Sequence, residues 1–309
     1  MPSNTAKPSP HRLRIPALRP KASCMTHPTG SIDDLMYFLK THSNILVLTG
    51  AGVSTSSGIP AYRDASGQWL RRTPIFYQDF IRCPIARRRY WARSYFGWNT
   101  IAGSLPNEAH RGLADLQRKG FLGQLITQNV DGLHQRAQSE SVIELHGQLG
   151  RVRCLDCDGL YDRDVIQEEL KRLNQGFEAE IYATNPDGDV DLDEDAYPDF
   201  IVADCPKCRG RLKPDVVFFG ESVPAPTNAQ VVKALNDSSA LLVVGSSLVV
   251  MSGYRLVRQA HQLGKPIVVI NRGRTRADDL IRFKIEDDCS EVIQRMCSLL
   301  ESSNNLALP

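Results

Sequence analysis

Four of the chain's eight cysteines stand as two pairs of one spacing, Cys154-x-x-Cys157 and Cys205-x-x-Cys208. Two such pairs supply the four thiolates of a tetrahedral Zn2+ site that is closed, with no position open to water. Redox cysteines and an iron–sulfur cluster are the alternatives that the spacing leaves open. Zinc held here is expected to be structural and to contribute directly to folding the segment around it. A second constellation is Gly50-Ala51-Gly52-Val53-Ser54. Its small residues let backbone N–H groups close on a phosphate where a side chain would stand in the way. An ordinary tight glycine turn explains the same residues, and the dinucleotide fingerprint G-x-G-x-x-G fails because position 55 is threonine. A hydride-transferring dehydrogenase is therefore disfavoured, while a bound dinucleotide is not. A third group, Asp187-x-Asp189-x-Asp191, invites a calcium reading, but Leu192 stands where such a loop needs glycine and Pro198 where it needs glutamate. An acidic surface loop is expected there.

The elements that must position these residues are legible in outline. Ser31 and Asp34 form a helix-opening pair, with Ile32, Leu35, Phe38 and Leu39 repeating at helical spacing, so a helix is expected over residues 31–42. The run NILVLTG that follows from position 44 reads as a strand buried on both faces. The same signature recurs at residues 125–128, 216–220, 241–245 and 267–271. Five such strands separated by helix-length segments imply an α/β fold, a doubly wound, Rossmann-like parallel sheet with helices on both faces. Ligands of such sheets bind beyond the carboxyl ends of the strands, which directs attention to residues 50–54, 128–131, 245–247 and 271–273. Between about 150 and 213 the pattern is interrupted, and the cysteine pairs bracket a strongly acidic stretch. The expected organisation is a tail over 1–30, a nucleotide-binding domain over 31–149 and 214–309, and a smaller inserted zinc module over 150–213.

With 309 residues, 42% of them hydrophobic, the chain can bury a substantial core. A net charge of +2 with 23% charged residues provides no overall basic field, so nucleic acid is not an expected partner. No apolar run approaches the roughly 18 residues of a membrane-spanning helix. The segment up to Thr29 carries Lys7, Arg12, Arg14, Arg19 and Lys21 and no acid before Asp33, as a mitochondrial presequence would. Pro2, Pro8, Pro10, Pro16, Pro20 and Pro28 would break the amphipathic helix that a presequence needs. A cytoplasmic monomer is expected, with the mitochondrial matrix as the alternative compartment.

Three stretches are more specific: GAGVSTSSGIPAYRD at 50–64, TQNVDGLH at 127–134 and ELHG at 144–147. Together they resemble the sirtuin family, whose GSS and N-x-G elements are matched by Gly245-Ser246-Ser247 and Asn271-Arg272-Gly273, and whose cysteine pairs are matched by those above. The resemblance runs from about residue 31 to 295. RYWAR at 89–93, PDGD at 186–189 and LKPDVVFFG at 212–220 look like class II, which includes the fourth vertebrate sirtuin and plant and bacterial relatives. Tyr62 stands where many relatives carry phenylalanine.

The resemblance implies an NAD-dependent protein-lysine deacylase. Expelling nicotinamide from NAD creates an oxocarbenium-like centre that any nearby oxygen attacks, so water must be excluded. A loop over residues 61–70, with Tyr62, Arg63 and Trp69, is expected to close over the NAD. The acyl-lysine carbonyl then attacks, and a ribose hydroxyl must be activated to carry the acyl group away, a task for a base that titrates near neutrality. His146, in the family's HG position, is implied as that base. Asn129 is implied to order the ribose hydroxyls, Asp131 to bind the nicotinamide carboxamide, Arg63 to reach the phosphates, and the Cys289 backbone to touch adenine, with Gln128 among the cofactor contacts. His110 and His134 are expected to be packing residues. Mono-ADP-ribosyl transfer to protein is the alternative activity, and a nucleotide-holding zinc module without catalysis is disfavoured because His146, Asn129 and Asp131 are all present. Peptide substrates are expected to pair with backbone at 219–221 and 248–251, and the acidic loop is expected near the acyl channel. Tyr90 and Arg93, three apart on an expected helix, could together read an acyl group that ends in a carboxylate, unless Arg93 merely caps or solvates that helix.

Overall fold

The computed structural model describes residues 28–61, 74–193 and 197–305. The helix Ile32–Thr41 opens as expected: the Ser31 hydroxyl accepts from the Asp34 N–H at 3.1 Å, and the Asp34 carboxylate accepts from the Ser31 N–H at 2.8 Å. Six strands, all parallel, form the main sheet in the order Phe283–Ile285, Ile267–Ile270, Leu241–Val244, Ile45–Thr49, Leu122–Thr127, Val142–Glu144. Every side chain of Ile45–Thr49, Leu241–Val244 and Ile267–Ile270 is buried, because helices cover both faces.

Alternation along each strand divides those side chains between two layers. Val47, Leu242 and Val268 meet Leu35, Leu113 and Met296 from the helices Ile32–Thr41, Glu108–Arg118 and Cys289–Asn305. Leu46, Leu48, Val243 and Val269 meet Val231, Leu235, Leu256 and Val257 from Ala225–Asp237 and Met251–Gln262. Each such aliphatic side chain contributes about 1.5–3 kcal/mol by burial, which is what fixes the strand ends where the polar loops begin.

One expected strand departs from this plan. The apolar run from Val216 to Gly220 is not part of the parallel sheet. Val216 ends the strand Leu212–Val216, which pairs antiparallel with Gly147–Cys154, itself antiparallel to Leu160–Asp162. The run is apolar because Phe218 packs on Phe80 and Tyr90, with ring centroids 5.1 and 5.2 Å apart. Packing between rings therefore hides those residues where a sheet was expected to. Two short edge strands, Val142–Glu144 and Phe283–Ile285, complete the parallel sheet and carry no apolar run long enough to announce them.

Candidate active site

The loops beyond the carboxyl ends of the parallel strands enclose a cavity of about 860 Å3, within the range of small-molecule sites. Its floor is set by glycines pressed against each other. A Cβ on Gly52 would stand 2.9 Å from the Gly245 Cα, and one on Gly245 would stand 2.5 Å from the Val53 nitrogen, at a positive φ of 63°. The Gly52 N–H donates to the Gly245 carbonyl at 2.8 Å. These glycines are needed so that two loops can touch, a reason nearer to hand than access for a phosphate.

Ser54 is the hub of the polar wall. Its hydroxyl donates to Asp131 at 2.7 Å and accepts from the Asn129 amide at 3.0 Å, while that amide also donates to the Gly50 carbonyl at 3.1 Å. Asp131 further accepts from the Leu133 N–H at 2.9 Å. Burial raises the Asp131 carboxyl above the usual carboxylate range, and these bonds oppose the rise. Behind Ser54 lie His110 and His134, both fully buried with ring centroids 4.8 Å apart. His134 shares a hydrogen bond of 2.9 Å with the Thr49 hydroxyl, and His110 accepts from the Asn107 N–H at 3.3 Å. Burial pushes His110 down to about 4 and His134 well below the ordinary histidine value.

His146 is held at both ring nitrogens. Nδ1 lies 2.8 Å from the Gln128 carbonyl and Nε2 lies 2.7 Å from the Ser252 hydroxyl. Because a carbonyl only accepts, Nδ1 carries the proton and Nε2 presents its lone pair. Burial lowers the pKa of the imidazole, and the Gln128 bond partly opposes that. The ring is therefore neutral and basic at neutral pH.

The cavity wall contains Gly50, Ala51, Gly52, Ser54, Gln128, Asn129 and Asp131 from the first two loops, together with His146. From the other half of the sheet come Gly245, Ser246, Ser247, Asn271, Arg272 and Cys289. Gln128 bonds Ser246 at 2.8 Å and so ties the two halves together. Gly273 is not on the wall: it makes the turn behind Asn271, with φ 76° and its N–H donating to Glu286. Tyr62 and Arg63, with most of the expected closing loop, lie outside the described residues, as does the basic tail through His27. Ser252, Arg255, Arg274, Asp287 and Asp288 also line the cavity, though nothing in the sequence pattern marks them. Ser252 and Arg255 arrive on the Met251–Gln262 helix, Arg274 in the loop after Ile267–Ile270, and Asp287 and Asp288 just past Phe283–Ile285. The segments expected to receive peptide, 219–221 and 248–251, border the cavity too.

Two expectations about the inner end are corrected. Asp189 is buried and Asp191 half-buried, so the acidic segment is an internal clasp and not a surface loop. Arg93 is its counterion: it meets Asp189 at 3.0 Å and Asp191 at 2.8 Å and donates to the Val190 carbonyl at 2.7 Å. Its guanidinium is thus engaged by this chain and not held out for an acyl carboxylate. Gly97 lets the helix Pro84–Gly103 approach, since a Cβ there would sit 2.5 Å from the Gly188 carbonyl. Tyr90, Pro186 and Asp187 do reach the cavity.

The four cysteines converge away from the cavity wall. Their sulfurs lie within 4.8 Å of one another, with Cys154 and Cys208 at 3.6 Å and Cys157 and Cys205 at 3.8 Å. A tetrahedron with metal–sulfur bonds of about 2.3 Å has edges of about 3.8 Å, so the set fits Zn2+. No helix among the described residues is long and apolar enough to cross a membrane.

Residues 50–252 match the Sir2 family. A Pseudomonas syringae protein named NAD-dependent protein deacetylase 3 is 48% identical over 268 residues, 86% of this chain and 95% of that one. A Streptomyces coelicolor protein, NAD-dependent protein deacetylase 1, is 52% identical over 236 residues, 76% and 79% of the two chains. Among solved structures, a Sir2 enzyme superposes with a TM-score of 0.70 at 31% identity, covering 88% of this chain and 98% of its own. A Sir2 protein in complex with a p53 peptide and NAD+ superposes with a TM-score of 0.69 at 29% identity, covering 89% and 100%.

Proposed function

The chain belongs to the Sir2 family, and from that premise we propose that it is an NAD-dependent protein-lysine deacylase of the deacetylase type, which transfers the acyl group of a protein lysine to ADP-ribose and releases nicotinamide. The observation that carries the reading is His146: a neutral imidazole with Nδ1 pinned by the Gln128 carbonyl, on the wall of the same cavity as Asn129 and Asp131. NAD lies along the loops of Gly50, Ala51, Gly52 and Ser54, of Gly245, Ser246 and Ser247, and of Asn271, Arg272 and Gly273, with Gln128 beside it and Cys289 at the adenine end. Asn129 orders the ribose hydroxyls, Asp131 takes the nicotinamide carboxamide, and Tyr62 and Arg63 cover the ring and phosphates.

Once nicotinamide has left, the acyl oxygen bonds to the ribose C1′ carbon. Nε2 of His146 removes the proton of a ribose hydroxyl, and the freed electron pair attacks the acyl carbon; the bond from that carbon to the lysine nitrogen then breaks, the lysine leaves as the protonated amine, and one water adds to give O-acyl-ADP-ribose. Cys154, Cys157, Cys205 and Cys208 hold one structural Zn2+, which braces residues 150–213 as a module inserted in the nucleotide-binding domain of 31–149 and 214–309. Class II membership is supported by the Arg93 clasp, since it joins two of the stretches that suggest that class, 89–93 and 186–189. The protein is proposed to act as a cytoplasmic monomer on protein substrates, without nucleic acid. Incubation with NAD and a panel of acyl-lysine peptides, with mass spectrometry of nicotinamide and O-acyl-ADP-ribose, tests the reading. Nicotinamide formed without an acylated ribose, together with ADP-ribose on protein, would favour ADP-ribosyl transfer instead.

A further inference from the structure

The hydroxyl of Ser252 occupies the one ring atom of His146 that can act as a base. Nδ1 is committed to the Gln128 carbonyl at 2.8 Å, so the neutral ring has its lone pair at Nε2, and Ser252 Oγ lies 2.7 Å from it. Ser252 stands in the first turn of Met251–Gln262 and Gln128 just past the end of Leu122–Thr127, so the ring is gripped from two separate elements. The next residue explains how the helix comes so near. A Cβ on Gly253 would stand 2.4 Å from the Gln128 side-chain oxygen, so glycine here lets the turn rest against Gln128 without moving that side chain from its bonds to Thr49 and Ser246.

We propose that Ser252 is a positioning residue for His146. Its hydroxyl donates to Nε2 while the ring is neutral, which sets the ring plane with Nε2 at the cavity. As the ribose hydroxyl reaches Nε2, the Ser252 O–H swings off the single lone pair, which takes the ribose proton, and Ser252 Oγ then accepts from the new N–H, so that the imidazolium has an acceptor at each nitrogen, Gln128 O and Ser252 Oγ. A hydroxyl can play both parts because it carries a donor and lone pairs, which neither alanine nor a carboxylate offers. Ser252 supplies no net proton to the reaction. The inference rests on the deacylase reading of the site.

The test compares the full-length parent with Ser252→Ala and Ser252→Thr. Loss of the hydroxyl removes one hydrogen bond to a charged ring, so kcat for deacylation is expected to fall about tenfold in Ser252→Ala. KM for NAD and the exchange of labelled nicotinamide into NAD, which precede the base, are expected to change by no more than about twofold. Ser252→Thr, which keeps the hydroxyl, is expected to recover most of the rate. Nitrogen NMR of histidine-labelled protein reads the contact without any turnover: the His146 Nε2 resonance is that of a hydrogen-bonded acceptor in the parent and moves toward that of a free acceptor in Ser252→Ala. Parental deacylation in Ser252→Ala, an equal loss of exchange and deacylation, no recovery in Ser252→Thr, or an unmoved Nε2 resonance each overturns the proposal. A parent that releases no nicotinamide with any acyl-lysine peptide defeats the functional reading instead, and the resonance still decides the role of Ser252.

Discussion

The hydroxyl of Ser54 donates to Asp131 at 2.7 Å, and this bond joins the loop after Ile45–Thr49 to the loop after Leu122–Thr127. Because the same oxygen accepts from Asn129, Ser54→Ala leaves two polar side chains each short of one hydrogen bond, Asn129 keeping only the Gly50 carbonyl and Asp131 the Leu133 N–H. An unmade bond at such a site costs about 1–3 kcal/mol, so kcat/KM for NAD is expected to fall roughly five- to a hundredfold. Steady-state kinetics at saturating acyl peptide measure it, and unchanged kinetics would remove Ser54 from the nucleotide wall.

Replacing His146 by alanine is expected to lower deacylation by at least about a hundredfold, in the range of a lost general base, while NAD still binds. Calorimetry for binding and mass spectrometry for product separate the two effects. Deacylation at the parental rate would rule out this residue as the base.

For the cysteines, metal analysis of the purified protein is expected to find one zinc per chain. Changing any one of Cys154, Cys157, Cys205 or Cys208 to serine is expected to abolish both the metal and the folded protein, since binding at such sites is coupled to folding. Iron–sulfur absorbance, or a fully folded variant without metal, would contradict the assignment.

Arg93→Met leaves Asp189 and Asp191 without their counterion and is expected to destabilise the protein by about 3–5 kcal/mol, the cost of stranding buried charge. The ranking of acetyl-, succinyl- and methylglutaryl-lysine peptides by kcat/KM is expected to stay that of the parent. A selective loss of the acidic acyl groups would return Arg93 to a role in substrate choice.

Stability is expected to fall on acidification through His110 and His134. Each is neutral when folded, with His110 held near pKa 4, and takes up a proton at about 6.5 when unfolded. Between these values the unfolded chain binds more protons, so stability decreases as pH falls from about 6.5 toward 4 and is fully present above 6.5. From pH 7 to pH 5, His110 alone accounts for about 2 kcal/mol. Urea denaturation across that interval measures the slope, which His110→Gln should flatten; an unchanged slope in that variant would refute this origin.

Much of this site could be read from residue order because the sheet makes it local. Gly50 to Ser54, Gln128 to Asp131 and Gly245 to Ser247 each follow a buried apolar strand, and a strand ending in small or polar residues announces its loop. Ser252 and Asp187 carry no such signal. Their places depend on how close one helix turn comes to Gln128 and on how the Arg93 clasp folds, and both are set by glycines, Gly253 and Gly97, whose contacts no linear pattern records. The run at 216–220 misled for a related reason: hydrophobicity reports burial and not which partner does the burying.

The strand Gly147–Cys154 has one further consequence. It starts beside His146, where the Val217 N–H donates to the His146 carbonyl at 2.8 Å, and it ends at Cys154, paired with Leu212. A Cβ on Gly147 would lie 2.0 Å from the Asp215 carbonyl, so this end of the pairing has no slack. The register shifts between Gly147 and Val152, and from Val152 to Cys154 the pairing is regular again, so one continuous paired ribbon links the thiolates to the base. A chelator or oxidant that reached only the cysteines is therefore expected to disturb the histidine at a distance, a vulnerability that the cavity wall by itself does not reveal.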